Sequence, residues 1–136
     1  MAADAGSVRF FFDESVLGLG KVMALARKDV IHAGHPLIPE VPLGTLDPDW
    51  IPHVCGIGLV IVCRDKKIRT RPVELEALSK HGARVVWQAG KKDLGIWDQV
   101  HLMVTRWGDV ERIVEDRPTG PWFMALSASG LKEIAL

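Results

Sequence analysis

Two apolar runs in this chain are each followed by a carboxylate. Residues 10–12 lead directly into Asp13, and residues 60–63 lead, after Arg64, into Asp65. An apolar run followed by an acid is typical of a buried parallel strand, and ligands of open α/β sheets bind outside the carboxyl ends of such strands. We therefore predict that Asp13 and Asp65 share one anionic site, of the kind that holds a hard divalent cation.

Further acids lie close to these two in the expected arrangement. Asp47 and Asp49 stand at the start of a helix that leads into the apolar run at residues 60–63. Glu14 and Glu40 fall in neighbouring loops. Converging carboxylates repel one another, and a bound Mg²⁺ or Mn²⁺ would relieve that repulsion. Asp47 as the helix N-cap, Asp49 as a first-turn acid and Glu14 as a solvated surface residue are the competing structural explanations.

Basic residues follow Asp65 closely. Five of them fall within eight positions, namely Arg64, Lys66, Lys67, Arg69 and Arg71. Cations beside an acidic site would hold a phosphate backbone while a metal ion sits deeper. We take Arg64, Lys67 and Arg69 as candidate contacts to a substrate phosphate, with an ordinary solvated loop as the alternative.

Other kinds of site find less support in the sequence. The cysteines at 55 and 63 and the histidines at 32, 35 and 53 lack the spacing of a zinc site. The serines lack a nucleophile-elbow context, and the glycine pairs are not followed by the rest of a dinucleotide or phosphate-loop motif. Metal-assisted chemistry at the carboxylates is therefore the leading hypothesis.

The elements that must position these acids alternate along the chain. Strands are predicted at 8–12, 29–33, 59–63 and 84–88, and helices at 16–27, 47–55, 70–81 and 94–110. A strand pair is predicted at 122–127 and 131–136, and prolines at 36, 39, 42 and 48 predict a long loop. This alternation favours a three-layer α/β/α sandwich with a mainly parallel central sheet.

Size and composition predict one ordinary domain. The 136 residues suggest a single domain over 1–136, with residues 1–7 flexible. Seventeen basic and seventeen acidic residues give zero formal net charge, so any nucleic-acid footprint must be local. The sequence shows neither a secretory pattern nor an apolar run of the roughly 18 residues that cross a bilayer. We expect a cytoplasmic protein without membrane contact.

The segments that carry these acids resemble the PIN-like ribonuclease families, especially the compact VapC-type group. The resemblance rests on Phe-Phe-Phe-Asp-Glu at 10–14, Asp-Val-Ile-His-Ala at 29–33, Asp-Pro-Asp-Trp-Ile at 47–51 and the stretch 59–74. The stretch 59–74 looks like the apolar-strand-Thr-Arg-Asp-Lys signature of that group. The resemblance covers about residues 8 to 110.

This resemblance implies a metal-dependent endoribonuclease with a Rossmann-like sheet. Asp13, Asp47 and Asp65 would match the family's catalytic acids and hold one or two Mg²⁺ or Mn²⁺ ions, with Asp49 competing for the place of Asp47 and Glu40 a candidate additional ligand. The implied reaction is hydrolysis of an RNA phosphodiester. Such proteins often act as toxins held inactive by a cognate antitoxin, and we expect an antitoxin partner and a homodimer.

One departure and two alternatives accompany this interpretation. Cys63 stands where many relatives have threonine before Arg-Asp, so a residue beside the site differs. A receiver-like signalling domain would use Asp13 and Glu14 as its acidic pair and Asp65 as phosphoacceptor, although it usually has an isolated lysine after a later strand. A degenerate PIN-like module would bind without cleaving.

Overall fold

The described part of the chain forms one six-stranded sheet. A computed structural model describes residues 7–65, 68, 70–91 and 93–135. The strands are β1 (Phe10–Phe12), β2 (Val30–His32), β3 (Val60–Cys63), β4 (Arg84–Gln88), β5 (Trp122–Ser127) and β6 (Gly130–Glu133). Their order is β2-β1-β3-β4-β5-β6, with β1 to β5 parallel and β6 antiparallel to β5. The prediction of a mainly parallel sheet is confirmed.

Four α-helices cover the two faces of the sheet. They are α1 (Leu17–Ala26), α2 (Asp47–Gly56), α3 (Pro72–Lys80) and α4 (Ile96–Asp116). Side chains alternate between the faces along each strand. Phe10 and Phe12 therefore pack with α1 and α4, whereas Phe11 packs with α2 and α3. The result is the predicted three-layer arrangement, with one apolar core on each side of the sheet.

Strand order reverses at the centre of the sheet. The chain adds β2 on one side of β1 and then crosses to place β3 on the other. In open α/β sheets the crevice outside the carboxyl ends of two such strands is the usual ligand site. The two strands that lead into Asp13 and Asp65 are the pair that flanks this crevice.

Three predicted helix boundaries need correction. Asp47 is the first residue of α2 and Leu46 is its N-cap, so the explanation of Asp47 as the helix N-cap is wrong. A single 3₁₀ turn over Glu14–Val16 precedes α1. The last helix continues to Asp116, beyond its predicted end at 110, because Val110 and Val114 remain buried against the sheet.

The proline-rich segment between β2 and α2 is a loop with its own core contacts. Ile38 and Val41 are buried in the core on the α2 and α3 side. The Gly34 N–H donates to the Val41 carbonyl (2.9 Å), which closes the loop on itself. Backbone turns and these two apolar anchors thus replace regular structure where the prolines prevent it.

An ion-pair cluster lies at the amino ends of β1 and β2, at the opposite end of the strands from Asp13 and Asp65. Asp29 accepts hydrogen bonds from Arg9 (2.8 Å) and Arg27 (2.9 Å), and both arginines also reach Glu111 of α4. The Arg27 guanidinium lies over the ring of Trp107, 4.8 Å from its centroid. This cluster joins β1, β2 and α4 at the end of the strands opposite to the acids.

Candidate functional site

The acids after β1 and β3 lie on the same face of the sheet. Phe12 is in register with Val62, and the Asp13 N–H donates to the Val62 carbonyl (3.1 Å), which continues the β1–β3 pairing by one step. Because strand side chains alternate, Asp13 follows Phe11 toward the α2 and α3 side, and Asp65 follows Cys63 there. Sheet geometry thus brings together two residues that lie far apart in the sequence.

A cavity of about 190 Å³ collects the acids at this point. Asp13, Asp47 and Asp65 line it, together with Glu14. Its remaining lining residues are Phe11, Ser15, Ala33, Val41, Thr45 and Trp50. We call this space the acidic cavity; it opens at the crevice where strand order reverses.

Ser15 connects the two strand ends through its hydroxyl. The hydroxyl donates to Asp13 Oδ1 and accepts from the backbone N–H groups of Arg64 (2.8 Å) and Asp65 (3.2 Å). The Ser15 N–H also donates to Asp13 Oδ1 (3.0 Å), so Asp13 caps the 3₁₀ turn. The spacing between the Asp13 carboxyl group and the Asp65 backbone is therefore fixed by one side chain.

Burial makes the ionised form of Asp13 costly. Desolvation raises the pKa of Asp13 to about 7. The hydrogen bonds from Ser15 oppose this rise, whereas the charges of Asp47 and then Asp65 add to it. A nearby cation stabilises the ionised form of a carboxyl group in such an environment, because it replaces the stabilisation that water would have supplied.

The side chain of Asp47 is held by a hydrogen bond within α2, the helix that begins at this residue. The Trp50 indole N–H donates to Asp47 Oδ1 (2.9 Å), one turn further along α2. Burial raises the pKa of Asp47 against that hydrogen bond, and the charges of Asp65 and Glu74 raise it further. Asp47 provides no side-chain cap for α2, so the capping explanation for this acid is removed.

Glu74 is an acid that the sequence analysis did not consider as part of the site. It lies in the first turn of α3, is only 6% exposed, and has its Oε1 3.7 Å from Nη1 of Arg71. Its charge acts on the pKa of Asp47 although it does not line the acidic cavity. No local sequence signal marks Glu74, because its burial depends on the tertiary packing of α3.

The remaining predicted site residues lie elsewhere. Asp49 is exposed in the first turn of α2, and Glu40 has its Oε2 3.6 Å from Nε2 of His53; neither lines the acidic cavity. Arg64 donates to the Ala89 carbonyl (3.3 Å) and to the Lys91 carbonyl, so a phosphate contact would require it to leave them. Lys67 and Arg69 lie outside the described residues.

The donor chemistry of the acidic cavity suits a hard divalent cation, but its carboxylates do not form a ready coordination sphere. Carboxylate oxygens are the preferred ligands of Mg²⁺ and Mn²⁺, and Asp13, Asp47 and Asp65 line the same cavity. Within the described ranges, however, no group of three His, Cys, Asp or Glu side chains is close enough to hold a metal ion. A cation would have to draw these side chains inward.

Cys63 lies directly beneath the acids. Its side chain is fully buried, and burial raises the pKa of the thiol well above its ordinary value, as do the charges of Asp13, Asp65 and Asp47. The thiol therefore stays protonated and acts as a small apolar packing group. The departure from threonine thus replaces a hydroxyl with an uncharged thiol under the site.

A comparison with protein families agrees with this fold and site. A family model described as a PIN like domain matches residues 8–90, which include every candidate acid. The chain belongs to the PIN-like domain family. Neither a curated protein nor a solved structure matches the chain. Membership of this family supports the PIN-like interpretation over the receiver-like alternative. None of the helices in the described ranges is long and apolar enough to cross a membrane.

Proposed function

We propose that this protein is a divalent-metal-dependent endoribonuclease that hydrolyses RNA phosphodiester bonds. One observation carries the proposal: Asp13, Asp47 and Asp65 line a single cavity at the sheet's switch point in a PIN-like fold. PIN-like domains are usually nucleases, and nucleases of this type typically use divalent metal ions. Asp13, Asp47 and Asp65 are the residues to which we assign the binding of such an ion.

Five residues of the cavity and three others have roles in this proposal. Asp13, Asp47 and Asp65 hold Mg²⁺ or Mn²⁺, Ser15 orients Asp13, and Trp50 orients Asp47. When bound, such an ion lowers the pKa of water and offsets the negative charge that develops on a phosphate. Glu74 supplies further negative charge behind Asp47. Lys67 and Arg69 follow Asp65 in sequence and would hold the RNA backbone.

The proposal extends to a VapC-type toxin with a cognate antitoxin and a homodimeric form. Its support is the stretch 59–74, which resembles the apolar-strand-Thr-Arg-Asp-Lys signature of that group. A small protein encoded beside this chain, with a DNA-binding pattern, is the expected antitoxin. Inhibition of RNA cleavage by that neighbouring protein would support the toxin assignment, and unchanged cleavage in its presence would contradict it.

A PIN-like binding module that does not cleave is the second candidate. The observation that favours it is the lack of a ready three-ligand metal group among the described residues. Such a module would bind RNA or protein through the same surface without hydrolysis. The two candidates differ in whether the acids are needed for a chemical step.

RNA cleavage with matched variants tests the proposal. Wild-type protein with Mg²⁺ or Mn²⁺ is expected to cleave single-stranded RNA, and Asp65→Asn to cleave at least roughly a hundredfold more slowly. Asp49→Asn is the matched control, because Asp49 is exposed outside the acidic cavity and its variant should retain wild-type cleavage. Equal cleavage by wild type and Asp65→Asn would refute the assignment.

A further inference from the structure

A second and larger cavity lies along the same edge of the sheet. Its volume is about 570 Å³, within the usual range for small-molecule pockets. It is bounded by residues 89–91 after β4, by the first half of α4 and by the end of β5. We call it the β4–β5 pocket. Because β4 neighbours β3 and strands lie about 4.8 Å apart, the pocket begins roughly 5–10 Å from the strand that leads to Asp65.

Arg64 connects this pocket to the acidic cavity. It precedes Asp65, and its guanidinium donates to the carbonyl oxygens of Ala89 and Lys91, both of which line the pocket. The backbone N–H of Arg64 donates to Ser15, which also binds Asp13. One residue therefore fixes the pocket wall relative to the acids, so a ligand that spans both would meet a defined geometry.

The walls of the pocket combine apolar surface with hydrogen-bonding groups. Leu94 and Leu102 supply apolar contact, and the His101 imidazole adds a ring on which a planar base could stack. Thr105 and Ser127 supply hydroxyl groups, and Asp98 can accept from a ribose hydroxyl or an exocyclic amine. This mixture suits a nucleoside better than a purely apolar ligand.

Arg106 supplies a cation with unused donor capacity. Its Nη1 lies 3.4 Å from Asp109 Oδ2, and its Nη2 donates to the Ala128 carbonyl. Its Nε–H is buried and finds no acceptor among the described residues. An unmade buried hydrogen bond is unfavourable, so turning this guanidinium toward an anionic oxygen would relieve it. Lys91 also lines the pocket, and the two cations suit a phosphate group.

We propose that the β4–β5 pocket binds one nucleotide of an RNA strand whose neighbouring phosphate lies at the acidic cavity. This inference rests on the proposed ribonuclease function, to which it adds a substrate-positioning site. The base packs against Leu94, Leu102 and His101, and the phosphate contacts Arg106 and Lys91. The bound strand is single, because the base must leave a duplex stack to enter a pocket.

Filling the pocket tests the inference. Thr105 is exposed on α4 and lines the pocket, so Thr105→Trp should occupy the space without disturbing the core. We expect it to weaken binding of a short single-stranded RNA about tenfold, as measured by fluorescence anisotropy with EDTA present. Val104→Trp is the matched control, because Val104 is 62% exposed on the same helix but does not line the pocket. Thermal unfolding of both variants checks that they fold.

A competing ligand and a second variant extend the test. Adenosine and uridine 5′-monophosphates should displace the RNA from wild type but not from Thr105→Trp, and Arg106→Gln should weaken RNA binding while Val104→Trp does not. RNA binding by Thr105→Trp equal to that of wild type would overturn the inference. Mononucleotide binding lost in Thr105→Trp without any change in RNA binding would also overturn it, because the pocket would then serve a free nucleotide.

The outcomes separate this inference from the proposed function. If Thr105→Trp weakens RNA binding but wild type with Mn²⁺ does not cleave, the result supports the pocket inference and contradicts the nuclease assignment. If wild type cleaves in an Asp65-dependent manner and Thr105→Trp keeps both the KM and the kcat of wild type, the nuclease assignment stands and the pocket falls.

Discussion

Asp13 lies in an environment that disfavours its ionised form. Asp13 is 5% exposed, and its carboxyl group accepts two hydrogen bonds from Ser15 and lies within the influence of the charges of Asp47 and Asp65. In the absence of a cation, its ionisation therefore opposes folding. Functional sites often carry such a cost, because the group needed for chemistry is not the one that stabilises the fold best.

We predict that Asp13→Asn stabilises the metal-free protein at neutral and higher pH. The pKa of Asp13 is about 7 in the folded protein, against about 3.9 in an unfolded chain. As pH rises between these values the unfolded chain loses its proton first, so wild-type stability falls while that of the variant does not. At pH 8 in EDTA the free energy of unfolding should be about 1–3 kcal/mol higher for the variant.

Urea unfolding across pH measures this difference. The gap between variant and wild type should close below about pH 4, where the carboxyl group is protonated in both states. Asp49→Asn provides the control, because Asp49 is exposed and should show little change in unfolding free energy. An Asp13→Asn protein less stable than wild type at pH 8 would contradict the account.

The acids that follow the strands could be predicted from the sequence, whereas the residues that contact them or act on their charge could not. Asp13 and Asp65 follow apolar runs, and parallel pairing then requires that they emerge at one edge. Ser15 and Glu74 carry no comparable local signal. Two partners of Ser15, Arg64 and Asp65, are 49 and 50 positions away, and the burial of Glu74 depends on the tertiary packing of α3. Tertiary contacts of this kind are not encoded in short sequence windows.

At the scale of elements, α1 lies unusually close to the strands that precede the site. A Cβ atom added at Gly20 would stand 2.8 Å from Phe12 Cβ and 3.1 Å from His32 Cβ. These neighbours belong to β1 and β2, and neither is the mobile end of a side chain. The glycine therefore lets the helix approach the sheet one residue before Asp13.

We predict opposite effects for two glycine substitutions in helices. Gly20→Ala should lower the free energy of unfolding by about 1–3 kcal/mol, because the new methyl group forces α1 away from the sheet. Gly108→Ala, in the middle of α4, meets nothing within 4 Å and should raise stability by up to about 1 kcal/mol. Thermal denaturation compares the two variants. A Gly20→Ala protein as stable as Gly108→Ala would disprove the proposed close contact.

The presence of helices and strands was predicted more accurately than the residues at which they begin and end. The apolar strands and the end of α3 were recognisable, and Gly82, which follows α3, adopts φ +65° as a helix terminus of this type requires. The N-cap of α2 was misplaced because Asp47 has a side chain typical of an N-cap, whereas Leu46 occupies that position without a side-chain cap. The proline-rich loop was predicted as a loop, but its buried Ile38 and Val41 depend on the sheet beneath.

At the scale of the whole molecule, the two edges of the sheet differ in electrostatic character. The carboxyl edge gathers acids whose charges repel, whereas the amino edge pairs Asp29 with Arg9 and Arg27. Burial alone would raise the pKa of Asp29, but the hydrogen bonds from Arg27 and Arg9 outweigh it, so its pKa lies below the ordinary value. The amino edge with its ion pairs stabilises the fold, and the carboxyl edge with its repelling acids is the one we assign to a ligand.

We predict that Asp29→Asn destabilises the protein at neutral pH by about 1–3 kcal/mol, because two arginines lose a charged partner. A lowered carboxyl pKa means that this stabilisation is present above about pH 4 and is lost as pH falls through the folded pKa. Urea unfolding at pH 7 and at pH 3 should show a wild-type advantage that is smaller at pH 3 than at pH 7. A difference that persists unchanged at pH 3 would contradict the ion-pair explanation.

The central claim is that Asp13, Asp47 and Asp65 act together as one divalent-cation site, and isothermal titration with Mn²⁺ tests it most directly. Wild type should bind Mn²⁺, and Asp13→Asn, Asp47→Asn and Asp65→Asn should each weaken binding at least about tenfold. Asp49→Asn should bind as wild type does, since Asp49 does not line the acidic cavity. Absence of Mn²⁺ binding by wild type, or undiminished binding by all three aspartate variants, would contradict the account.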